Sequence, residues 1–189
     1  VVAISELIEY YKGIFTILSS CASRQLEEVT FRRATISVPE LMATAGKYFR
    51  KVYKGNKAHI DFKIQLLEGR ITGDWNQLRF LLENLIDEAC SVTLDGAVCL
   101  SAREDGEFIR FLFTDMRREK TREELNQLFY PDLSRMTAGE KGELYGTEYL
   151  VCKQIIRDHD EFAGRRGCRI NAEPGKEGGF TIYFTLPKK

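Results

Sequence analysis

The sequence has no excess of charge of either sign, because 28 lysines and arginines balance 28 aspartates and glutamates. Without such an excess no overall field attracts nucleic acid or an anionic membrane surface, so we expect neither as a partner of this segment. The sequence also lacks a signal peptide and any apolar run long enough to span a membrane. Its five cysteines are an odd number without a C-x-x-C pair, which argues against a disulfide framework and a zinc site and is typical of a reducing cytoplasm.

What is present is the composition of a folded globular protein, with 43% hydrophobic and 30% charged residues. The length of 189 residues suits one domain of about 150 residues with an additional element. The sequence opens without methionine, so we expect it to be part of a longer protein.

Residues 3–29 are predicted to form one long helix. Its apolar residues alternate steps of four and three, the spacing of a coiled-coil seam: Ile4, Ile8, Tyr11, Phe15, Leu18 and Ala22. One chain does not cover so much apolar surface, so we expect a second copy of the chain or an upstream helix beside it. The alternative is that the helix lies along its own domain. We therefore divide the chain into a dimerisation helix over residues 1–30 and a domain over residues 31–189.

Another helix, in the middle of the chain, is predicted from Asp74 to Thr93. Asp74 followed by Gln77 is a capping signal, and an apolar stripe recurs behind it at Trp75, Leu78, Leu82, Leu85, Ile86 and Ala89. Asn84, Asp87 and Glu88 lie three and four residues apart, so they share one face that could hold a hydrated cation. The alternative is an ordinary solvated face.

The remaining pattern predicts a mixed β-sheet with helices grouped on one face, an α+β fold. The predicted strands are Ala34–Val38, His59–Leu67, Ala97–Arg103, Phe108–Asp115, Gly167–Ala172 and Phe180–Leu186. Helices are predicted from Ser37 through Tyr53 and over Gly146–His159. Between the predicted strand Phe108–Asp115 and the predicted helix Gly146–His159, the segment Met116–Tyr145 is irregular apart from a short helix, Arg122–Phe129. A connection of this length is typical of a lid or a mobile segment.

Five short motifs occur in a fixed order with fixed spacing. They are Asn84–Ser91 (NLIDEACS), Asp115 followed by Leu128–Pro131 (LFYP), Gly146–Tyr149 (GTEY), Cys152–His159 (CKQIIRDH) and the closing RINAEPGKEGGFTIYFTLP. With these motifs nearly the whole chain resembles the C-terminal half of a bacterial sensor histidine kinase. That half comprises the second helix of a dimerisation hairpin and an ATP-binding domain of the GHKL superfamily (gyrase, the heat-shock chaperone, histidine kinases and a mismatch-repair protein).

The resemblance implies the GHKL, or Bergerat, fold, a two-layer α/β sandwich, and it implies a nucleotide site. By this resemblance the nucleotide-binding positions are Asn84, Asp87, Glu88, Asp115, Gly146 and Thr181. Asp115 is similar to the aspartate that accepts a hydrogen bond from the adenine amino group, with Thr181 beside it. Glu88 and Asn84 stand where the family holds magnesium, so ATP and Mg²⁺ are the cofactors to consider.

The sequence departs from the family at the positions that hold the phosphates. Glu88 replaces the second asparagine of the N box, and Ser91 replaces a basic residue. Three family glycines have become Arg117, Glu119 and Glu148, although glycine lets the backbone come close to a nucleotide. We expect the part of the site that binds adenine to be retained and the part that binds the phosphates to be lost. Adenosine should therefore bind no worse than ATP. Side chains at the first hinge also predict that the lid is a fixed surface rather than a mobile one.

The two histidines, His59 and His159, are not on a helix of the kind that accepts a phosphoryl group in this family. We therefore expect a degenerate module of two-component signal transduction that acts by conformation, dimerisation or partner binding, and we lean against an enzyme. Expected partners are a second copy of the chain through the N-terminal helix, and a response regulator or an upstream sensor region; the expected location is cytoplasmic, as part of a longer membrane-anchored sensor. The alternative is a divergent, active kinase that binds Mg-ATP and phosphorylates a histidine outside this chain.

A third hypothesis is DNA binding through the basic residues of the lid, Arg117, Arg118, Lys120 and Arg122. Acidic neighbours Glu119, Glu123 and Glu124 cancel that charge, which makes this hypothesis the weakest.

Overall fold

The computed structural model of the chain describes residues 31–55, 58–129 and 147–189, together with Ile4, Ile8, Tyr11 and Phe15. The chain begins its domain with a four-residue strand, β1 (Ala34–Ser37), and helix α1 (Val38–Val52). Strands β2 (Ile60–Gln65) and β3 (Arg70–Gly73) follow, then helix α2 (Trp75–Cys90).

The second half contains the hairpin of β4 (Gly96–Asp105) and β5 (Phe108–Asp115), and the short helix α3 (Arg122–Gln127). Helix α4 (Thr147–Phe162) and the strands β6 (Ile170–Pro174) and β7 (Phe180–Pro187) complete it. Five strands form one sheet in the order β2-β4-β5-β7-β6, while β1 and β3 pair separately. Within the larger sheet β2 and β4 are parallel and the other pairs are antiparallel.

The sheet is covered by helices on one face, as the alternation of burial along β5 demonstrates. Ile109, Phe111 and Phe113 are buried, whereas the residues between them are only half-buried. The buried residues share one hydrophobic core with Leu82 of α2 and Ile155 of α4. The predicted α+β sandwich with a mixed sheet is therefore confirmed.

Local capping explains where two helices begin. The Ser37 side chain accepts a hydrogen bond from the Glu40 amide at 3.4 Å, so β1 ends at Ser37 and Val38 is helical rather than extended as predicted. The Asp74 side chain accepts one from the Gln77 amide at 3.1 Å, as its position before an apolar stripe predicts. Gln77 does not complete a capping box, because its Oε1 atom is buried and has no partner in the described part of the chain.

Strands β3 and β6 differ from the prediction by more than a shift of one or two residues at an end. Strand β3 was not predicted, because RITG is too short for its alternation to be recognised. Strand β6 begins at Ile170 instead of Gly167, since the amides of Gly167 and Cys168 donate to Asp160 Oδ1 at 2.6 and 3.0 Å and so leave the ladder.

Two predicted segments lie largely outside the described residues. Of the long N-terminal helix, Ile4, Ile8, Tyr11 and Phe15 are described; they are helical and their side chains are exposed. Of the lid segment, residues 116–129 are described. No helix in the described part of the chain is both long and apolar enough to traverse a bilayer.

Candidate functional site

Asp115, the last residue of β5, is the centre of the candidate site. Its Oδ1 atom accepts hydrogen bonds from the backbone amide and Nε of Arg117, at 3.0 and 2.9 Å. Its Oδ2 atom accepts from Arg117 Nη2 and Arg118 Nε, at 2.8 and 2.9 Å. A carboxylate offers about four acceptor positions, so these four bonds use them all. With its side chain 1% exposed, Asp115 has no free acceptor for an adenine amino group.

Arg117 fills the space beside Asp115 rather than extending into solvent. Its guanidinium also donates to the carbonyl oxygens of Leu94, at 3.0 Å, and Ala89. The side chain is 1% exposed, and its Cγ lies 2.9 Å from the position that a Cβ on Gly96 would take. The end of α2 and the start of β4 therefore enclose a charged side chain at the position where the sequence resemblance implies a glycine.

Arg118 joins Asp115 to Glu88 of α2. Its Nη1 and Nη2 atoms donate to the two carboxylate oxygens of Glu88 at 3.0 and 2.9 Å, a bidentate pair, and its guanidinium lies 5.3 Å above the Phe180 ring. The Arg118 and Glu88 side chains are 11% and 10% exposed. Two acidic and two basic side chains thus neutralise one another in a nearly closed cluster, which we call the arginine–carboxylate cluster (Glu88, Asp115, Arg117 and Arg118).

The pKa values within this cluster follow from its contacts. Burial alone would raise the pKa of Asp115, but hydrogen bonds from Arg117 and the charges of Arg118 and Arg117 hold it below the ordinary value. Burial alone would lower the pKa of Arg118, but its hydrogen bonds to Glu88 and the nearby carboxylate charges raise it. Asp115 and Arg118 are therefore held in their charged forms.

The three predicted acceptors of α2 are not brought together. Asn84 Nδ2 donates to the Phe80 carbonyl of its own helix at 2.7 Å. Asp87 Oδ1 accepts from the hydroxyls of Tyr48 and Tyr53 at 2.8 and 2.7 Å, which ties α2 to α1. Consecutive helical residues are about 100° apart around the axis. Asp87 and Glu88 therefore contact different neighbours. Within the described ranges no three histidine, cysteine, aspartate or glutamate side chains are grouped as a metal site.

The other positions implied by the resemblance have separate contacts. Thr181 Oγ1 lies 2.8 Å from Thr114 Oγ1, so these two hydroxyls bond to each other. Ser91 Oγ donates to the Glu88 carbonyl at 2.7 Å and thus caps the end of α2. Glu119 Oε1 lies 3.7 Å from the position of a Cβ on Gly178. Gly146 and the Glu148 side chain lie outside the described residues.

Two further residues complete the surroundings of the cluster. Among the described residues the Tyr149 hydroxyl, in the first turn of α4, is buried and has no hydrogen-bond partner; burial first, and then the charge of Glu88, raise its pKa. Gly179 has φ +68°, and a Cβ there would lie 2.1 Å from the Asp115 carbonyl oxygen. The turn between β6 and β7 therefore requires glycine at this position to lie against the backbone of Asp115.

Sequence reasoning missed the role of Arg118. It treated Arg117 as a lost glycine and Arg118 as part of a basic lid, without relating either to Asp115. The signal was the sequence Asp-Met-Arg-Arg itself, because side chains two and three residues beyond a carboxylate can turn back to it. The link to Glu88, 30 residues away, carried no local signal.

Comparison with known proteins agrees with this architecture. The adaptive-response sensory kinase SasA of Thermosynechococcus vestitus is 29% identical over 137 residues, which are 71% of this chain and 34% of that protein. The chain thus spans about a third of the length of this curated relative.

Solved structures of similar fold include the histidine kinase ThkA in complex with the response regulator protein TrrA. It has a TM-score of 0.69 at 18% identity and covers 98% of this chain and 50% of that one. The histidine kinase AdeS of Acinetobacter baumannii has a TM-score of 0.65 at 13% identity, with 95% and 79% of the two chains covered. At such low identity these likenesses concern the fold.

Residues 73–189 match the family described as histidine kinase-, DNA gyrase B-, and HSP90-like ATPase. Because this match covers well over half of the sequence, the chain belongs to that family.

Proposed function

We propose that the chain is a histidine-kinase-like module of two-component signal transduction that does not use ATP and acts by conformation, dimerisation or partner binding. The observation that carries the proposal is the saturation of Asp115, whose four hydrogen bonds come from Arg117 and Arg118. A nucleotide that needs this carboxylate has to displace both guanidinium groups first.

The cost of that displacement is large compared with ordinary nucleotide affinity. Separating a buried, hydrogen-bonded ion pair costs about 3–5 kcal/mol. A cost of about 4 kcal/mol would change a micromolar dissociation constant into a millimolar one. Magnesium meets a second obstacle, because both oxygens of Glu88 accept hydrogen bonds from Arg118.

Nucleotide titration tests this proposal. We expect no heat of binding for ATP, with or without Mg²⁺, when either is titrated into the chain in a calorimeter. Adenosine is also expected not to bind, in contrast to the expectation from the sequence, because its amino group would meet an Asp115 without a free acceptor. Micromolar, magnesium-dependent ATP binding would contradict the proposal and favour the active-kinase alternative.

We further propose that the module is a homodimer joined through its N-terminal helix. The described residues of that helix support this: Ile4, Ile8, Tyr11 and Phe15 repeat at steps of four and three, and their exposed fractions range from 49% to 72%. Exposed apolar residues in one stripe mark a surface that a partner covers. The relative ThkA was solved with a response regulator protein, and we propose a response regulator or an upstream sensor region as a further partner of this chain.

The combined substitution Tyr11→Glu and Leu18→Glu is expected to abolish this dimer, because it would bury charge in the seam. Light scattering should report monomers or aggregates. The matched control is Lys12→Glu with Ser19→Glu, one residue further along the helix and outside the seam, which should leave the dimer intact. A dimer unchanged by the first pair of substitutions would place the interface elsewhere.

A further inference from the structure

His159, in the last turn of α4, is a fully buried histidine. Its Nδ1 atom lies 2.8 Å from the Ile155 carbonyl oxygen, to which it can only donate. Its Nε2 atom accepts a hydrogen bond from the backbone amide of Asp74 at 3.0 Å. These two bonds together require the neutral ring with its proton on Nδ1. A Cβ on Gly73 would lie 3.0 Å from the ring, so the start of α2 is in close contact with it.

Residues 31–33, which precede β1 and which we call the entering segment, pack against His159 and Asp74. The Phe31 ring meets the His159 ring edge-on, with centroids 4.8 Å apart, and lies 5.8 Å from the Phe162 ring. The Arg32 amide donates to Asp74 Oδ2 at 2.8 Å, while Asp74 Oδ1 caps α2. One aspartate and one histidine therefore connect three parts of the chain: the entering segment, the beginning of α2 and the end of α4.

We propose that Phe31, Asp74 and His159 form a latch that holds the entering segment on the domain, and that a proton on His159 releases it. Protonation would place an N–H on Nε2 opposite the N–H of Asp74, and two donors at 3.0 Å repel each other. The Asp74 amide would lose its acceptor, and the loop that carries the Asp74 carboxylate would have to move. The bond from the Arg32 amide depends on that carboxylate and would be lost with it.

The surroundings of His159 favour its neutral form in the latched state. Burial lowers its pKa, and the hydrogen bond with Ile155 and the charges of Asp74 and Asp158 offset only part of that effect. Of the charged groups on the packed elements, Asp74 before α2 and Asp158 on α4 act on the ring, and the entering segment carries Arg32 and Arg33. The Phe31 ring supplies no acceptor for a second ring proton.

The sign of the pH dependence follows by linkage. A histidine whose folded pKa lies below its ordinary value of 6.5 stabilises the latched state fully above that pH. The stabilisation is lost as the pH falls below it, because the released ring binds the proton more tightly. Mild acid would thus free the segment that links the N-terminal helical residues to the domain. This inference is independent of nucleotide binding and of the proposed function.

Hydrogen exchange combined with histidine NMR tests the latch in the intact chain. The sequence contains two histidines, so imidazole spectra hold one signal for His159 and one for the exposed His59. Between about pH 7.5 and about pH 5.5, on either side of an ordinary histidine pKa, we expect the protection factor of the Arg32 amide to fall by up to about tenfold, the limit for one proton taken up by a released ring of ordinary pKa. The fall should begin as the pH passes the ordinary histidine pKa and should stop once His159 of the latched chain has gained its proton, while the Phe111 amide in β5 should stay protected.

Two variants separate the latch from general acid effects. His159→Gln cannot be protonated in this range, so the Arg32 protection factor should no longer depend on pH. Phe31→Ala should lower Arg32 protection at both pH values. Constant Arg32 protection while His159 gains its proton would overturn the proposal, as would equal losses at Arg32 and Phe111. If His159→Gln does not fold, the pH profile of the unmodified chain still decides the matter, because Arg32 protection that keeps falling after His159 has gained its proton would overturn the proposal.

Discussion

Replacing Asp115 by asparagine is expected to lower the free energy of unfolding by roughly 3–5 kcal/mol, even without any ligand. The change leaves two guanidinium groups facing a neutral amide, and the Arg117 side chain is 1% exposed and cannot reach water. In an open nucleotide site the same substitution would cost little in the free protein, because the carboxylate would be solvated. Chemical denaturation of the two proteins measures the difference.

Asp105→Asn is the matched control at the other end of the same hairpin. Asp105 Oδ2 accepts from Arg110 Nε and Nη2 at 3.0 and 2.9 Å, but these side chains are 44% and 26% exposed. A surface pair of this kind contributes about 1 kcal/mol or less. If Asp115→Asn proves no more destabilising than Asp105→Asn, the arginine–carboxylate cluster does not exist in solution.

The pH dependence of stability provides a second readout for Asp115. A carboxylate whose folded pKa lies below its ordinary value of 3.8 stabilises the fold fully above that pH, and this contribution is lost as the pH falls toward the lowered value. The unmodified chain should therefore lose more stability than Asp115→Asn between these pH values. Parallel acid curves for the two proteins would contradict a buried, charged Asp115.

Much of the fold could be predicted from the sequence because its main elements carry strong local patterns. The alternation in FIRFLFTD corresponds to the alternate burial along β5, and the apolar stripe after Asp74 corresponds to the buried face of α2. These patterns depend on residues within one element. By contrast, the start of β6 depends on Asp160, an acceptor from the preceding helix that draws two amides out of the ladder.

The candidate site was less predictable for the same reason. Motif spacing identified Asp115 and Glu88 as candidate site residues, but it did not indicate which side chains their carboxylates contact. The Arg118 side chain meets both because the end of β5 lies beside α2 in the folded chain. Asp87 is a similar case, since its partners Tyr48 and Tyr53 come from another helix. Side-chain partners across elements are set by packing, and a single sequence carries little local record of them.

The combined substitution Arg117→Gly and Arg118→Ala is expected to create adenosine binding, whereas we expect none in the unmodified chain. It removes every side-chain donor from Asp115, leaves the backbone amide of residue 117 as its one donor, and frees both oxygens of Glu88. The two carboxylates lose their partners, so the variant should also be less stable, by several kcal/mol on the scale of broken buried pairs. A ligand that binds only the folded form stabilises it by about 2.7 kcal/mol at a hundredfold excess over its dissociation constant. Adenosine should therefore raise the melting temperature of the variant and leave that of the unmodified chain unchanged.

Inosine is the control that identifies the contact. It carries a carbonyl oxygen where adenosine has an amino group, so it offers an acceptor to a carboxylate that can only accept. Binding of adenosine but not inosine would place the adenine amino group at Asp115; equal responses to both nucleosides would contradict this.

The control protein is Arg165→Gly with Arg166→Ala, another consecutive pair whose side chains are 49% and 74% exposed. If the double variant does not unfold cooperatively, Arg117→Gly alone keeps the Arg118–Glu88 pair and releases two of the three side-chain bonds to Asp115, so a weaker adenosine response is expected there. A folded variant that responds to neither nucleoside would mean that the two arginines are not what prevents nucleoside binding.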